Sequence, residues 1–208
     1  DDDPCGPGLI QLPRSGRCTH GPDGPPPPGI VAPDRIPQTA AEARRAAADI
    51  ACDDDGVSGF RVQVLYLRSS SSPDTYATNL NAIRTWAAGA DTILRESSSA
   101  AGQEMGFTFV MTDDCQIDVD NVAISPSAIR TFDTSIMALE QQGYDQVDRI
   151  YLMFGDTNAA GICGIGTMWD DDRAAATNAN NRGPSYARAD RTCWNSHTAA
   201  HELMHLHA

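Results

Sequence analysis

Arg149-Ile150-Tyr151-Leu152-Met153-Phe154 is an almost unbroken apolar run stopped by Gly155-Asp156. A strand that is apolar at consecutive positions is buried on both faces, as in a sheet covered by helices on either side. Upstream, Ser125-Pro126 reads as an N-cap followed by proline at the first helical position. Ile129, Phe132, Ile136 and Leu139 then form one helical face before Gly143. Phe107-Thr108-Phe109-Val110-Met111 reads as a strand ended by Asp113-Asp114. Tyr76, Leu80, Ile83, Trp86 or Ala87, Ala90 and Ile93 recur at helical spacing, which predicts an amphipathic helix between Tyr76 and Leu94. Before it, Phe60 to Leu67 is β-branched and aromatic enough to be a strand. Strands and helices alternate, so the expected class is α/β (α+β), a mixed sheet packed on helices.

Downstream, residues 155 to 195 are rich in Gly, Asn, Asp and Ala and predict irregular structure tied down by Cys163 and Cys193. A last helix is expected to begin at Ser196 or Thr198. Thr39 to Cys52 is alanine-rich and predicts a further helix, with turn chemistry in Asp53-Asp54-Asp55-Gly56. Residues 1–38 hold Pro4, Pro7, Pro13 and the run Pro25-Pro26-Pro27-Pro28, and so predict an extended arm ahead of a domain spanning 39–208.

Composition narrows the class. Hydrophobic residues at 41% and charged residues at 21% are ordinary for a globular chain. The net charge of −13, with no basic stripe, argues against nucleic acid as a partner. No apolar run is long enough for a membrane span. Six dispersed cysteines without a C-x-x-C pair predict three disulfides and an oxidising, extracellular location. Asp1-Asp2-Asp3-Pro4 has no signal-peptide character, so export is inferred from the cysteines on the assumption that a leader has been removed.

The chemistry is concentrated in His201-Glu202-Leu203-Met204-His205. Two histidines four residues apart on a helix project from one face and can meet at a single Zn2+. Glu202 stands beside the first ligand, placed to take a proton from water whose pKa the ion lowers from about 15.7 to near 7. Peptide-bond hydrolysis is the reaction this arrangement serves best. The expected metal ligands are therefore His201 and His205, and the expected catalytic residue is Glu202. Zinc needs a third protein ligand. His197 lies about 12 Å along the helix axis from His205, too far to share one ion. His207 points about 200° around the helix and reaches the ion only if the helix breaks at Leu206. His20, in the arm, reaches it by folding back. Cys5 or Cys18 offers a thiolate by the same route unless paired in a disulfide.

Arg61 to Leu67, Arg84 to Asp91, Cys163-Gly164-Ile165-Gly166, Cys193-Trp194 and Ala200 to His205 together resemble a family of exported actinobacterial proteins similar to the metzincin metallopeptidases. The resemblance covers roughly residues 58–205 and implies a zincin-like twisted sheet with an active-site helix behind it. It also implies an edge strand bordering the substrate cleft and a smaller C-terminal subdomain. In metzincins the motif continues to a glycine, a third ligand and a methionine turn, whereas here Leu206-His207-Ala208 follows His205. The expectation is that the lower subdomain belongs to a segment missing from this sequence.

Asp1 to Asp3, Asp53 to Asp55 and Asp170 to Asp172 invite a Ca2+ reading, but none fits an EF-hand loop, and solvated turns are the simpler account. Ca2+ at Asp170 to Asp172 stays as an alternative. Three readings are thus in view. One is a secreted zinc metalloendopeptidase acting on protein or peptide substrates. Another is a non-catalytic extracellular module that uses the arm for self-assembly or contact with a neighbour. The third is a latent protease kept inactive by its own residues 1–38.

Overall fold

A computed structural model describes residues 4–27, 29, 34, 50, 52, 54–158, 161–173, 175 and 177–206. Apart from Ile50 and Cys52, neither of them helical, the helix expected over Thr39 to Cys52 lies outside the described residues, as does His207. Ten elements follow in order: β1 (Ile10–Gln11), β2 (Cys18–Thr19), β3 (Arg61–Ser69), α1 (Tyr76–Ala100), β4 (Val119–Ile124), α2 (Phe132–Glu140), β5 (Arg149–Gly155), β6 (Gly164–Gly166), β7 (Ser185–Asp190) and α3 (Ser196–Met204). Short 3-10 turns stand at Ala128–Arg130, Ala179–Asn181 and Arg191–Cys193.

The architecture is mixed α/β. Five strands form one sheet in the order β4-β3-β5-β7-β6, the first four parallel and β6 antiparallel at the edge. Strand periodicity divides the core into two layers. Val62, Val64, Tyr66, Ile150, Leu152, Phe154, Ala187 and Ala189 face α1 and α3, where Ile83, Ala87, Ala90, Ala199, Ala200 and Leu203 meet them. Leu65, Leu67, Tyr151, Met153 and Tyr186 face the other way, onto Ile129, Phe132, Ile136 and Leu139 at α2. Burying both faces accounts for the unbroken apolar run of β5.

Several expectations are corrected. Phe107 to Met111 is not a full strand. It makes only isolated bridges, Val62 to Phe109 and Met111 to Ile117, and the paired strand is β4. The Phe107 amide is held instead by the Asp91 carboxylate, 2.6 Å away. The helix expected from Ser125-Pro126 begins only at Phe132, where Thr131 Oγ1 accepts from Thr134 N, and the preceding residues form a 3-10 turn. Residues 155–195 are not wholly irregular, for they contain β6 and β7. Every residue of β7 is buried, including Arg188 and Asp190, which pair at 2.8 Å in the layer beneath α2. Arg188 also donates to Ile129 O and to Ser135 Oγ, so a polar strand is satisfied in the middle of the sheet.

All six cysteines are paired: Cys5–Cys18, Cys52–Cys115 and Cys163–Cys193. No helix among the described residues is long and apolar enough to cross a membrane.

Candidate metal centre

The helix that carries the motif is fixed at its start. Asn195 caps α3, its side chain accepting from Thr198 N at 2.7 Å, and Asp34 accepts from Ser196 N at 2.8 Å. Close packing seats α3 against its neighbours through two glycines. A Cβ at Gly89 of α1 would lie 2.1 Å from Ser196 Oγ, and a Cβ at Gly164 of β6 would lie 2.0 Å from Glu202 Oε1. Only glycine lets α1 and β6 approach the helix this closely.

His201 and His205 converge, with their Nε2 atoms 3.1 Å apart and their rings at right angles. Helical backbone continues through His205, so the four-residue spacing does what the periodicity predicts. His20 of the arm joins them, its Nε2 lying 2.9 Å from that of His205. Asp23, which the sequence reading did not single out, closes the group. Its Oδ2 lies 3.2 Å from His201 Nε2, 3.4 Å from His20 Nε2 and 3.8 Å from His205 Nε2. The available signal was His20-Gly21-Pro22-Asp23, a carboxylate three residues past a candidate ligand.

The arm is firmly docked. Cys5–Cys18 closes the β1–β2 hairpin, so neither sulfur is available as a thiolate ligand. Asp133 at the start of α2 accepts from the amides of Arg14 and Ser15 at 2.9 and 2.8 Å. Arg17 pairs with Glu140, donates to Pro184 O and lies over the Tyr186 ring. Met168 N donates to Cys18 O, and Asp23 forms an antiparallel bridge with Gly164 on the free edge of β6. Two short strands and this edge pairing replace the wholly extended conformation expected from the prolines.

Glu202 is fully buried, and no N–H or O–H donor reaches its oxygens among the described residues, while the Asp23 carboxylate stands beside it. Burial first, then the Asp23 charge and a hydrogen bond shared with that carboxylate, then the Asp190 charge, push its carboxyl up to about 9. His205 is held down to about 4 by burial, then by the neighbouring His20 and His201, so its ring is neutral and fit to be a ligand. His197 is not part of the cluster. It lines a cavity of about 210 Å3 with Thr198, His201, Glu202, Pro26 and Pro27.

Groups of three or more convergent donors occur among the described residues only here, as His20, Asp23 and His205 and as Asp23, His201 and Glu202. At the acidic loop, Asp171 is engaged by Arg173 and by the amide of Ala179, which hold its carboxyl well below the usual range. No family model, curated protein or solved structure matches the chain.

Proposed function

We propose that this chain is a secreted zinc-dependent metalloendopeptidase of metzincin-like build, with His201 and His205 holding the ion and Glu202 as general base. The observation that carries the reading is the convergence of the His201 and His205 Nε2 atoms beside a buried carboxylate that no N–H or O–H donor reaches among the described residues. The donor chemistry fits zinc, which takes imidazole nitrogen and carboxylate oxygen. Further support for the metzincin likeness comes from the sheet, four parallel strands with an antiparallel edge strand, β6, bordering the helix that carries the motif. Three disulfides support an oxidising compartment.

When bound, zinc supplies Lewis-acid activation of water and of a substrate carbonyl. The chain's own residues do the rest. Glu202 takes the proton of the attacking water on a carboxylate oxygen and returns it to the leaving amine. With a cation held at the histidines, Glu202 would be favoured in its ionised form, which would offset the effect of burial. The outer edge of β6, where Asp23 pairs with Gly164, offers backbone groups along which an extended peptide can lie once the arm is displaced.

One zinc per chain is expected, and His205→Ala should lose it. Glu202→Gln should keep the ion while cleavage of a peptide library falls roughly 10²–10⁴-fold. Cleavage retained by Glu202→Gln would refute the assignment.

A further inference from the structure

We propose that the N-terminal arm supplies half of the metal's protein ligands, His20 as the third imidazole and Asp23 as a carboxylate standing where hydrolysis needs a water. The chain as folded here then holds its ion in a closed sphere and becomes hydrolytic when Asp23 withdraws. The inference rests on the zinc reading above.

Spacing is the first argument. Ligands about 2.0–2.1 Å from zinc at tetrahedral angles lie about 3.3–3.4 Å from one another. Five of the six pairs formed by His20, Asp23, His201 and His205 stand at 2.9, 3.1, 3.2, 3.4 and 3.8 Å, which brackets that edge length, while His20 and His201 belong to two donor groups that share Asp23. Hydrogen bonding does not account for such a group. An imidazole Nε2 carries either one N–H or one in-plane lone pair, so it has a single direction to offer. His205 Nε2 nonetheless faces the Nε2 atoms of both His20 and His201. A cation drawn between the two groups would satisfy lone pairs that hydrogen bonds cannot.

The second argument is that the arm is built to deliver these two side chains. Thr19 Oγ1 accepts from Gly21 N at 3.1 Å, which shapes the turn after His20. The Asp23 amide donates to Gly164 O at 2.8 Å, and Cys163 N donates back to Asp23 O at 2.7 Å. Asp23 therefore sits on the edge strand opposite Glu202, as an extended peptide would. Catalytic zinc sites keep one position open, whereas sites with four protein ligands are closed. Of the four, Asp23 is the ligand grouped with both His201 and Glu202, so its departure is the one that frees space next to the base.

The test measures the metal directly. Zinc affinity by chelator competition and the visible spectrum of the cobalt-substituted protein are recorded for the unaltered chain, Asp23→Ala, Asp23→Asn, His20→Ala and His205→Ala. His20→Ala should lower affinity by roughly a hundredfold and Asp23→Ala by roughly tenfold, each with an altered cobalt spectrum. At saturating zinc, Asp23→Ala should raise peptide-library cleavage and His20→Ala should lower it. Asp23→Asn keeps the shape of the arm and serves if the alanine variant misfolds. If both arm positions leave affinity and spectrum unchanged while His205→Ala loses the metal, this proposal is overturned and the zinc reading stands. If His205→Ala also keeps the metal, both fall.

Discussion

Helix α3 and the N-terminal arm each bring two donors to the same point, and they do so by opposite means. On α3 the positions of His201 and His205 follow from the helix repeat, so local backbone geometry alone brings the rings to 3.1 Å. On the arm, His20 and Asp23 are placed by contacts 100 or more residues away in sequence, among them Arg14 and Ser15 with Asp133, and Arg17 with Glu140. A donor set fixed by local periodicity persists as long as the helix does. One fixed by docking can be released without unfolding the domain.

The largest effect that separates the two regions is loss of a helix ligand. His201→Ala or His205→Ala is expected to weaken zinc binding roughly 10³-fold, more than the arm variants, because the helix holds these two rings in place without the cost of ordering a docked segment. Equilibrium dialysis checks this, and a loss no greater than that of the arm variants would erase the distinction. Next comes the wall behind the helix. Gly164→Ala should cost about 1–3 kcal/mol in denaturant unfolding, because the added methyl would lie 2.0 Å from Glu202 Oε1 and 2.5 Å from its Cδ, a buried side chain with little room to yield.

The buried Glu202 carboxyl also sets a pH dependence in the metal-free protein. Glu202 is raised from 4.5 to about 9, so its contribution to stability is fully present below the unfolded value and is lost as pH rises toward the folded one. His205 acts in the other direction. Lowered from 6.5 to about 4, it costs stability only as pH falls through that window. Above neutrality the Glu202 effect is therefore unopposed by His205. Unfolding free energy of chelator-treated protein should decline by up to about 1.4 kcal/mol per pH unit toward about 9, and Glu202→Gln should flatten the slope. A slope unchanged in Glu202→Gln would assign the dependence to other groups.

Arg17→Ala gives the smallest effect and the sharpest reading of the arm. It removes the Glu140 pair, the bond to Pro184 O and the stacking on Tyr186, together about 1–2 kcal/mol of docking. Zinc affinity is expected to fall no more than roughly tenfold, with faster amide exchange across β1 and β2 and no change in α3. Equal exchange in both regions would mean that arm and helix move as one.

What could be read in the sequence follows the same division. Strands β3 and β5, helix α1 and the start of α3 were legible because each buries apolar residues with its own period. Strand β7 was hidden because its buried positions include the mutually compensating pair Arg188 and Asp190, which read as surface when seen singly. In β4, Asp120 and Asn121 interrupt the pattern of an edge strand half exposed to solvent. Meanwhile Phe107 to Met111 is apolar enough to pass for a strand, although Phe107 and Phe109 serve the core without a ladder. At the site, His201, Glu202 and His205 were visible from spacing, and His20 only as one of several candidates. Asp23 was missed because no local pattern encodes a contact between residue 23 and β6.

The Cys163–Cys193 bridge ties the residue before β6 to the turn that leads into α3, so the two jaws around Glu202 are covalently joined. If the arm departs as proposed, the bridge keeps that frame standing, and an incoming chain would meet a ready-shaped mould whose ordering entropy was spent on folding. A reductant, by contrast, would act on the frame without touching any donor atom, making mould rigidity a property adjustable independently of ion occupancy.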